Sequence, residues 1–111
     1  MGTGLLYISP TFSAGTLISV NPTTGAAVTL ASHPLAFMND IFCGDRSGHL
    51  YAAGASSGTT MYQYRIATNS WGTIPNVPAD HGNNGACTVA ADGWLYVTPR
   101  MNAAVWRIQL L

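Results

Sequence analysis

Two histidines are the side chains of this chain best suited to ligand or proton chemistry. His33 and His81 each begin a long connection between predicted strands, and His81 directly follows Asp80. Histidine is a common metal ligand and titrates near neutral pH. No two histidines are separated by one or three residues and no Cys-x-x-Cys occurs, so the spacing does not support a metal site. Adjacent residues on an extended segment point apart, and no nucleophile is placed beside Asp80 and His81. Each histidine is therefore either a ligand-binding group or a loop cap.

Two carboxylates, Asp45 and Asp92, fall in short glycine-containing segments that are typical of tight turns. An aspartate in such a turn accepts hydrogen bonds from its own backbone, so we expect turn formers rather than a catalytic carboxylate pair. The sequence contains no Asp-x-Asp-x-Asp-Gly calcium loop and no phosphate-binding loop. No metal and no cofactor are predicted, and we expect the chain not to be an enzyme.

The aromatic residues allow two interpretations. The three tryptophans could stack on sugar rings, or they could pack one β-sheet on the next. Their predicted positions, at strand starts for Trp71 and Trp94 and inside a strand for Trp106, favour packing.

The charge content is very low. Four arginines and four aspartates are the only charged residues, with no lysine and no glutamate, so charged residues make up 7% of the sequence against a usual figure of about 25%. A net charge of zero gives no long-range attraction to nucleic acid or to anionic membranes. Neither a signal peptide nor a transmembrane segment is apparent, which leaves a virion or extracellular assembly and the cytoplasm as undecided locations.

A short phrase recurs along the chain and indicates the elements that carry these residues. Gly4-Leu5-Leu6-Tyr7 returns as Gly48-His49-Leu50-Tyr51 and Gly93-Trp94-Leu95-Tyr96, at spacings of 44 and 45 residues. A period of that length with four short strands per unit is typical of β-propeller blades. The alternation of apolar residues predicts ten strands and no helix. The sequence thus predicts one all-β domain over 1–111, with a partial blade at 4–32, a complete blade at 38–75 and a partial blade at 85–111.

The middle unit resembles the kelch repeat of β-propellers. The resemblance lies in the segment 48–54, in Tyr64 one strand later, and in the pair Asn69-x-Trp71 ahead of Pro75. Ala53-Gly54 stands where the family has two glycines. The resemblance implies four-stranded antiparallel blades, about 2.5 per chain. A β-sandwich of about ten strands is the alternative fold.

In a propeller-type arrangement, the loops after alternate strands gather on one face of the molecule. That face would collect the richest polar cluster of the chain, which we predict as a ligand-binding surface: His33, Asn39, Asp40, Asp80, His81, Asn83, Asn84 and Arg100.

A ring needs about four or more blades, and this chain holds fewer than three, so we expect another chain to complete it. Open strand edges with few charges near them favour pairing with other strands. The predicted assembly edges are Leu5, Tyr7, Val105, Trp106, Ile108 and Leu110. The predicted function is therefore a non-enzymatic structural or binding protein that self-associates, or joins a related propeller chain, as a component of a virion or surface appendage. The alternatives are a multivalent carbohydrate-binding lectin and an excised or engineered propeller fragment. A glycan is a candidate partner, whereas nucleic acid and membrane insertion are not expected.

The two cysteines, Cys43 and Cys87, are separated by 44 residues, but they do not occupy equivalent positions in the repeat. Cys43 aligns with Thr88 rather than with Cys87. We therefore expect the two side chains to lie on different sides of neighbouring blades as buried free thiols.

Overall fold

The computed structural model describes residues 4–9, 15–33, 41–53, 59–79, 85–99 and 105–110. These ranges hold ten β-strands and no helix, which confirms the predicted all-β class and the predicted number of strands. The described ranges therefore contain no helix that could span a membrane. The strands in chain order are β1 (Leu6–Ile8), β2 (Ile18–Val20), β3 (Ala27–Thr29), β4 (Ile41–Gly44), β5 (His49–Ala53), β6 (Met61–Arg65), β7 (Ser70–Ile74), β8 (Ala86–Val89), β9 (Trp94–Thr98) and β10 (Trp106–Gln109).

The strands form three separate antiparallel sheets. The first sheet has the order β1-β2-β3, the middle sheet β4-β5-β6-β7 and the third sheet β8-β9-β10. Every sheet is a meander in which consecutive strands are neighbours, which is the arrangement that short connecting turns allow. A β-sandwich has two sheets, so the sandwich alternative is wrong for the described residues.

The middle sheet contributes buried apolar side chains to both of its faces, and alternate residues of its strands point to opposite sides. Leu50 pairs across β5 and β6 with Tyr64, and both pack against Leu17, which directly precedes β2 of the first sheet. Their strand neighbours Tyr51 and Met61 belong to the cluster shared with the third sheet. The middle sheet is thus packed between the other two.

Two apolar clusters hold the three sheets together. The larger one lies between the middle and third sheets, and the smaller one lies between the first and middle sheets. Tyr51 and Tyr64 are each 1% exposed and anchor one cluster apiece. Burying an aromatic side chain of this size removes a large apolar area from water, so these two residues contribute strongly to the docking of the sheets.

The cysteine prediction is wrong, because Cys43 on β4 and Cys87 on β8 form a disulfide between the middle and third sheets. Their Cα atoms lie 5.7 Å apart, within the usual range for disulfides. Cys43 pairs in register with Tyr51, and Thr88 pairs with Tyr96, so Cys43 and Thr88 are indeed equivalent. Cys87 precedes Thr88 in β8, so its side chain points to the other face of the third sheet. That face meets the face of the middle sheet that carries Cys43.

The predicted Asn-x-Trp pair joins the first sheet to the middle sheet. Asn69 accepts a hydrogen bond from the Ala31 backbone N–H at 2.8 Å, and the Trp71 indole donates to the Ala31 carbonyl oxygen at 3.0 Å. Both polar groups of one peptide residue are thereby satisfied across the junction. Asn69 has a positive φ of 50°, a conformation that asparagine tolerates better than most residues. The Tyr64 hydroxyl also donates to the Asn69 side chain.

Gly85, which precedes β8, permits a close approach of the third sheet to the middle sheet. A Cβ atom at this position would lie 2.8 Å from the Thr98 carbonyl oxygen and 2.9 Å from the Ile41 side chain. Ile41 is fully buried, so it has little room to move away. The absence of a side chain at Gly85 is therefore a packing requirement of this junction.

Candidate ligand-binding cleft and association surfaces

A cleft of about 550 Å³ opens between the middle and third sheets, at the end where β4 turns into β5. Its polar wall comes from the middle sheet and the preceding turn. Its other wall comes from the turn between β8 and β9 and from the residue after β10. The lining residues are Asp45, Ser47, His49, Tyr51, Gln63, Arg65, Val89, Ala90, Ala91, Gly93 and Leu110.

Asp45 organises the polar wall through the turn between β4 and β5. Its Oδ1 atom accepts hydrogen bonds from the backbone N–H groups of Ser47 at 2.7 Å and His49 at 3.0 Å. Its Oδ2 atom accepts from His49 Nδ1 at 2.9 Å and from the Tyr51 hydroxyl at 3.3 Å. The predicted role of Asp45 as a turn former is confirmed, and the same carboxylate also positions two side chains of the cleft.

The hydrogen-bond chain continues from the turn along β5 and β6. The Tyr51 hydroxyl accepts from Gln63 Nε2 at 3.3 Å, and Gln63 Oε1 accepts from Arg65 Nε at 3.4 Å. Tyr51 pairs directly with Gln63 in the strand register, and His49 pairs with Arg65. Cross-strand partners lie close together on one face of a sheet, so the strand pairing itself assembles these side chains.

The protonation states of the wall follow from its contacts. Burial alone would raise the pKa of Asp45, but the hydrogen bonds from the Ser47 and His49 backbone and from the His49 ring outweigh it and lower the pKa. Burial raises the pKa of Tyr51, with the Asp45 carboxylate adding to the effect. Tyr51 is therefore a neutral donor, and Asp45 is ionised. Because His49 Nδ1 donates to Asp45, its Nε2 atom is the acceptor in the neutral ring.

The third sheet carries a related arrangement on the face that points away from the middle sheet. Asp92 accepts hydrogen bonds from the Trp94 backbone at 2.9 Å and from the Tyr96 hydroxyl at 2.8 Å. The Trp94 backbone contact and then the Tyr96 contact lower the pKa of Asp92. The prediction of a turn former is confirmed here as well. The Arg107 guanidinium lies 4.4 Å from the centroid of the Trp94 ring, a cation–π contact.

The outer face of the first sheet is aliphatic. Leu6 is 54% exposed and Ile8 is 44% exposed, and their cross-strand partners are Val20 and Ile18. On β3, Ala27 pairs with Val20 and Thr29 pairs with Ile18. This surface, defined as the Leu6 face, carries no charged residue. A contiguous exposed apolar face of this kind is typical of interaction sites.

The outer face of the third sheet, defined as the Tyr96 face, is formed by the side chains that alternate with the buried ones. It carries Thr88, Trp94, Tyr96, Arg107 and Gln109. Arg107 is its one charged side chain among the described strand residues. The two outer faces of the molecule thus differ, one aliphatic and one mixed aromatic and polar.

His33 is the one residue of the predicted polar surface that lies in the described ranges. It is 4% exposed, its Nε2 atom is 3.1 Å from the Ser9 hydroxyl, and its ring packs edge-on against Trp71 at 5.9 Å. Ser9 donates its hydroxyl proton to the Thr16 carbonyl oxygen, so His33 Nε2 is the donor to Ser9. These contacts are those expected of a buried structural histidine.

The other residues predicted for the polar surface lie outside the described residues, and their role as ligand-binding groups stays a prediction: Asn39, Asp40, Asp80, His81, Asn83, Asn84 and Arg100. In the described ranges, no group of three or more histidine, cysteine, aspartate or glutamate side chains could hold a metal ion.

The predicted assembly edges divide between the interior and the surface. Tyr7 packs on the cluster between the first and middle sheets, whereas Trp106, Ile108 and Leu110 pack on the larger cluster. Val105 is 66% exposed, and Leu5 is partly buried just before β1. The strands β1 and β10 do lie at the borders of their sheets. The exposed apolar surface near β1 belongs instead to Leu6 and Ile8, which sequence reasoning missed.

A scan of the chain against protein-family models finds no match, and a search of curated proteins finds none either. The kelch resemblance stays a prediction.

The polar wall of the cleft has a signal in the sequence. In the repeated phrase Gly-x-Leu-Tyr, the residue before Leu and the Tyr after it point to the same side of a strand. His49 and Tyr51 therefore share a face of the sheet. Gln63 and Arg65 are two residues apart on the following strand, so they also point to one face. These two side chains form the other half of the polar wall. The contribution of the third sheet was not predictable, because it depends on how the two sheets stack.

Proposed function

We propose that this chain is a non-enzymatic structural or binding protein whose copies associate head to tail, with the Leu6 face of one copy against the Tyr96 face of the next. The assembly would be a propeller-type ring of stacked sheets. A heterologous contact of this kind closes into a ring when the rotation between copies allows it.

The observation that carries the proposal is the way the sheets already pack inside one chain. Each sheet has a Leu side and a Tyr side, set by the repeated Leu-Tyr phrase. Tyr7 and Leu50 belong to the cluster between the first and middle sheets. Tyr51 and Leu95 belong to the cluster between the middle and third sheets. At both junctions the Tyr side of one sheet meets the Leu side of the next.

The two sides left over are the Leu side of the first sheet and the Tyr side of the third. They are the faces that a further junction of the same kind would bring together. The charges of the two faces are compatible with this pairing, because the Leu6 face carries no charged residue and the Tyr96 face carries Arg107 together with the nearby Asp92 carboxylate, so no charge would be buried without an opposite one. The chain-wide scarcity of charged residues supports it too, since a surface of this composition resists association poorly.

The test uses one variant for each face. Leu6→Arg blocks the Leu6 face, and Thr88→Arg blocks the Tyr96 face. Val28→Arg is the matched control, because Val28 is 57% exposed but lies on the other side of the first sheet. Each blocked variant should lose association on its own, while the control should keep it.

Mixing the two blocked variants distinguishes head-to-tail contact from other modes. The mixture should form complexes containing both chains, because each variant retains the face that the other lacks. If Thr88→Arg alone associates as well as the unaltered chain, the Leu6 face pairs with itself and the proposal is wrong.

A further inference from the structure

The cleft between the middle and third sheets has the size of a small-ligand site. Its volume of about 550 Å³ lies within the range typical of ligand pockets. We propose that this cleft binds a neutral, hydroxyl-rich ligand of monosaccharide or disaccharide size. Both of its walls come from a single chain, so the site goes beyond self-association and does not depend on it.

The polar wall presents donors and acceptors in fixed positions. Asp45, Tyr51 and Gln63 are linked in one chain of hydrogen bonds that begins at His49 and ends at Arg65. Tyr51 is 1% exposed and forms the floor of the cleft, where its hydroxyl is held between Asp45 and Gln63. Side chains held on paired strands lose little freedom when a ligand arrives, which favours binding.

The opposite wall is apolar. It consists of Val89, Ala90, Ala91 and Leu110, with Gly93 leaving open space beside them. A pyranose ring has hydroxyl groups around its edge and C–H groups on its faces. The edge suits the hydrogen-bonding wall, whereas a C–H face suits the aliphatic wall. A purely polar ion would leave the aliphatic wall without a partner.

The charges of the cleft favour a neutral ligand over an anion. The ionised Asp45 lies on the same wall as Arg65, and its Oδ2 atom binds His49. A carboxylate on the wall repels an approaching anion and offsets the attraction of the guanidinium. A hydroxyl group, in contrast, can donate to one of these groups and accept from the other, because it has both a proton and lone pairs.

The experiment is a titration of the isotope-labelled chain with a panel of neutral monosaccharides and disaccharides, followed by backbone amide shifts. Acetate and inorganic phosphate are titrated in parallel as simple anions. At least one sugar should bind with a roughly millimolar dissociation constant, as expected for a ligand of few atoms in an open cleft. The largest shifts should fall on 45–51, 63–65 and 89–93.

Two variants test the polar wall. Gln63→Ala should weaken binding about five- to tenfold, because it removes a hydrogen-bonding group and releases Tyr51 and Arg65. Thr73→Ala is the matched control, since Thr73 lies on the opposite face of the same sheet and should leave binding unchanged. The dissociated Leu6→Arg chain should bind as well as the unaltered one, which separates this proposal from self-association.

Each other outcome overturns the proposal. Flat titrations with every sugar would exclude a carbohydrate site. Binding of acetate or phosphate in place of sugars, abolished by Arg65→Ala, would make the cleft an anion site. Sugar-induced shifts outside the cleft, or equal effects of Gln63→Ala and Thr73→Ala, would place the binding elsewhere.

Discussion

Reduction of the disulfide between Cys43 and Cys87 should strongly destabilise the chain. The bond closes a loop with a sequence separation of 44 residues between the middle and third sheets. The chain-entropy relation for a loop of this length gives a stabilisation of about 4 kcal/mol at 25 °C. That is a large share of the roughly 5 to 15 kcal/mol by which domains are stable.

Urea unfolding followed by tryptophan fluorescence measures the effect. With an m-value of about 1.5 kcal/mol per molar urea, the loss of about 4 kcal/mol lowers the midpoint by about 2.7 M. Unfolding is compared at one protein concentration, because self-association would otherwise change the midpoint. The double variant Cys43→Ala with Cys87→Ala is the control, and its midpoint should not respond to the reducing agent.

Two results would refute the reasoning. A midpoint that falls by less than about 0.5 M on reduction would mean that the bond adds little. Free thiols in the unreduced folded chain, detected by alkylation and mass measurement, would mean that the two cysteines are not bonded and that the sheets pack differently.

The remaining predictions concern the two junctions and the cleft. Gly85→Ala should lower the free energy of unfolding by about 1 to 3 kcal/mol, because the added Cβ would overlap Ile41 and the Thr98 carbonyl oxygen. The control Gly72→Ala, whose Cβ would meet nothing within 4 Å, should cost less. Equal costs for the two variants would contradict the close approach at Gly85. Asn69→Ala should cost about 0.5 to 1.5 kcal/mol in the same assay for each hydrogen bond it removes, those from the Ala31 N–H and the Tyr64 hydroxyl, whereas Asn76→Ala, which removes one contact with Thr59, should cost less. The lowered pKa of Asp45 stabilises the fold above the ordinary aspartate pKa of about 3.9, and this stability is lost as the pH falls through the lowered value. Asp45→Asn should therefore be less stable than the unaltered chain at neutral pH, with the difference shrinking in urea titrations below about pH 4. A difference that stays constant from neutral to acid pH would show that the charge of Asp45 is not involved.

Much of the local structure could be predicted from the sequence, because it depends on short-range patterns. Alternation at period two located the strands, as in Met61–Arg65, and the repeated phrase fixed which strands are equivalent. The turn role of Asp45 follows from its neighbours in the chain, so it was predictable too.

The packing between sheets was harder to predict, because the repeat specifies equivalent positions but not which faces meet. The correct alignment of Cys43 with Thr88 led to the wrong conclusion that Cys87 lies out of reach. The packing of Trp106 between sheets was predicted, and its strand β10 does lie at the border of the third sheet. The cleft depends on that stacking as well, and only its polar wall could have been read from the strands.

The mass of the unaltered chain in solution tests self-association most directly. Sedimentation equilibrium over a wide range of protein concentrations should give a whole-number multiple of the chain mass, two or more, that falls to one chain for Leu6→Arg and not for Val28→Arg. A single-chain mass at every concentration would contradict head-to-tail association of the Leu6 and Tyr96 faces.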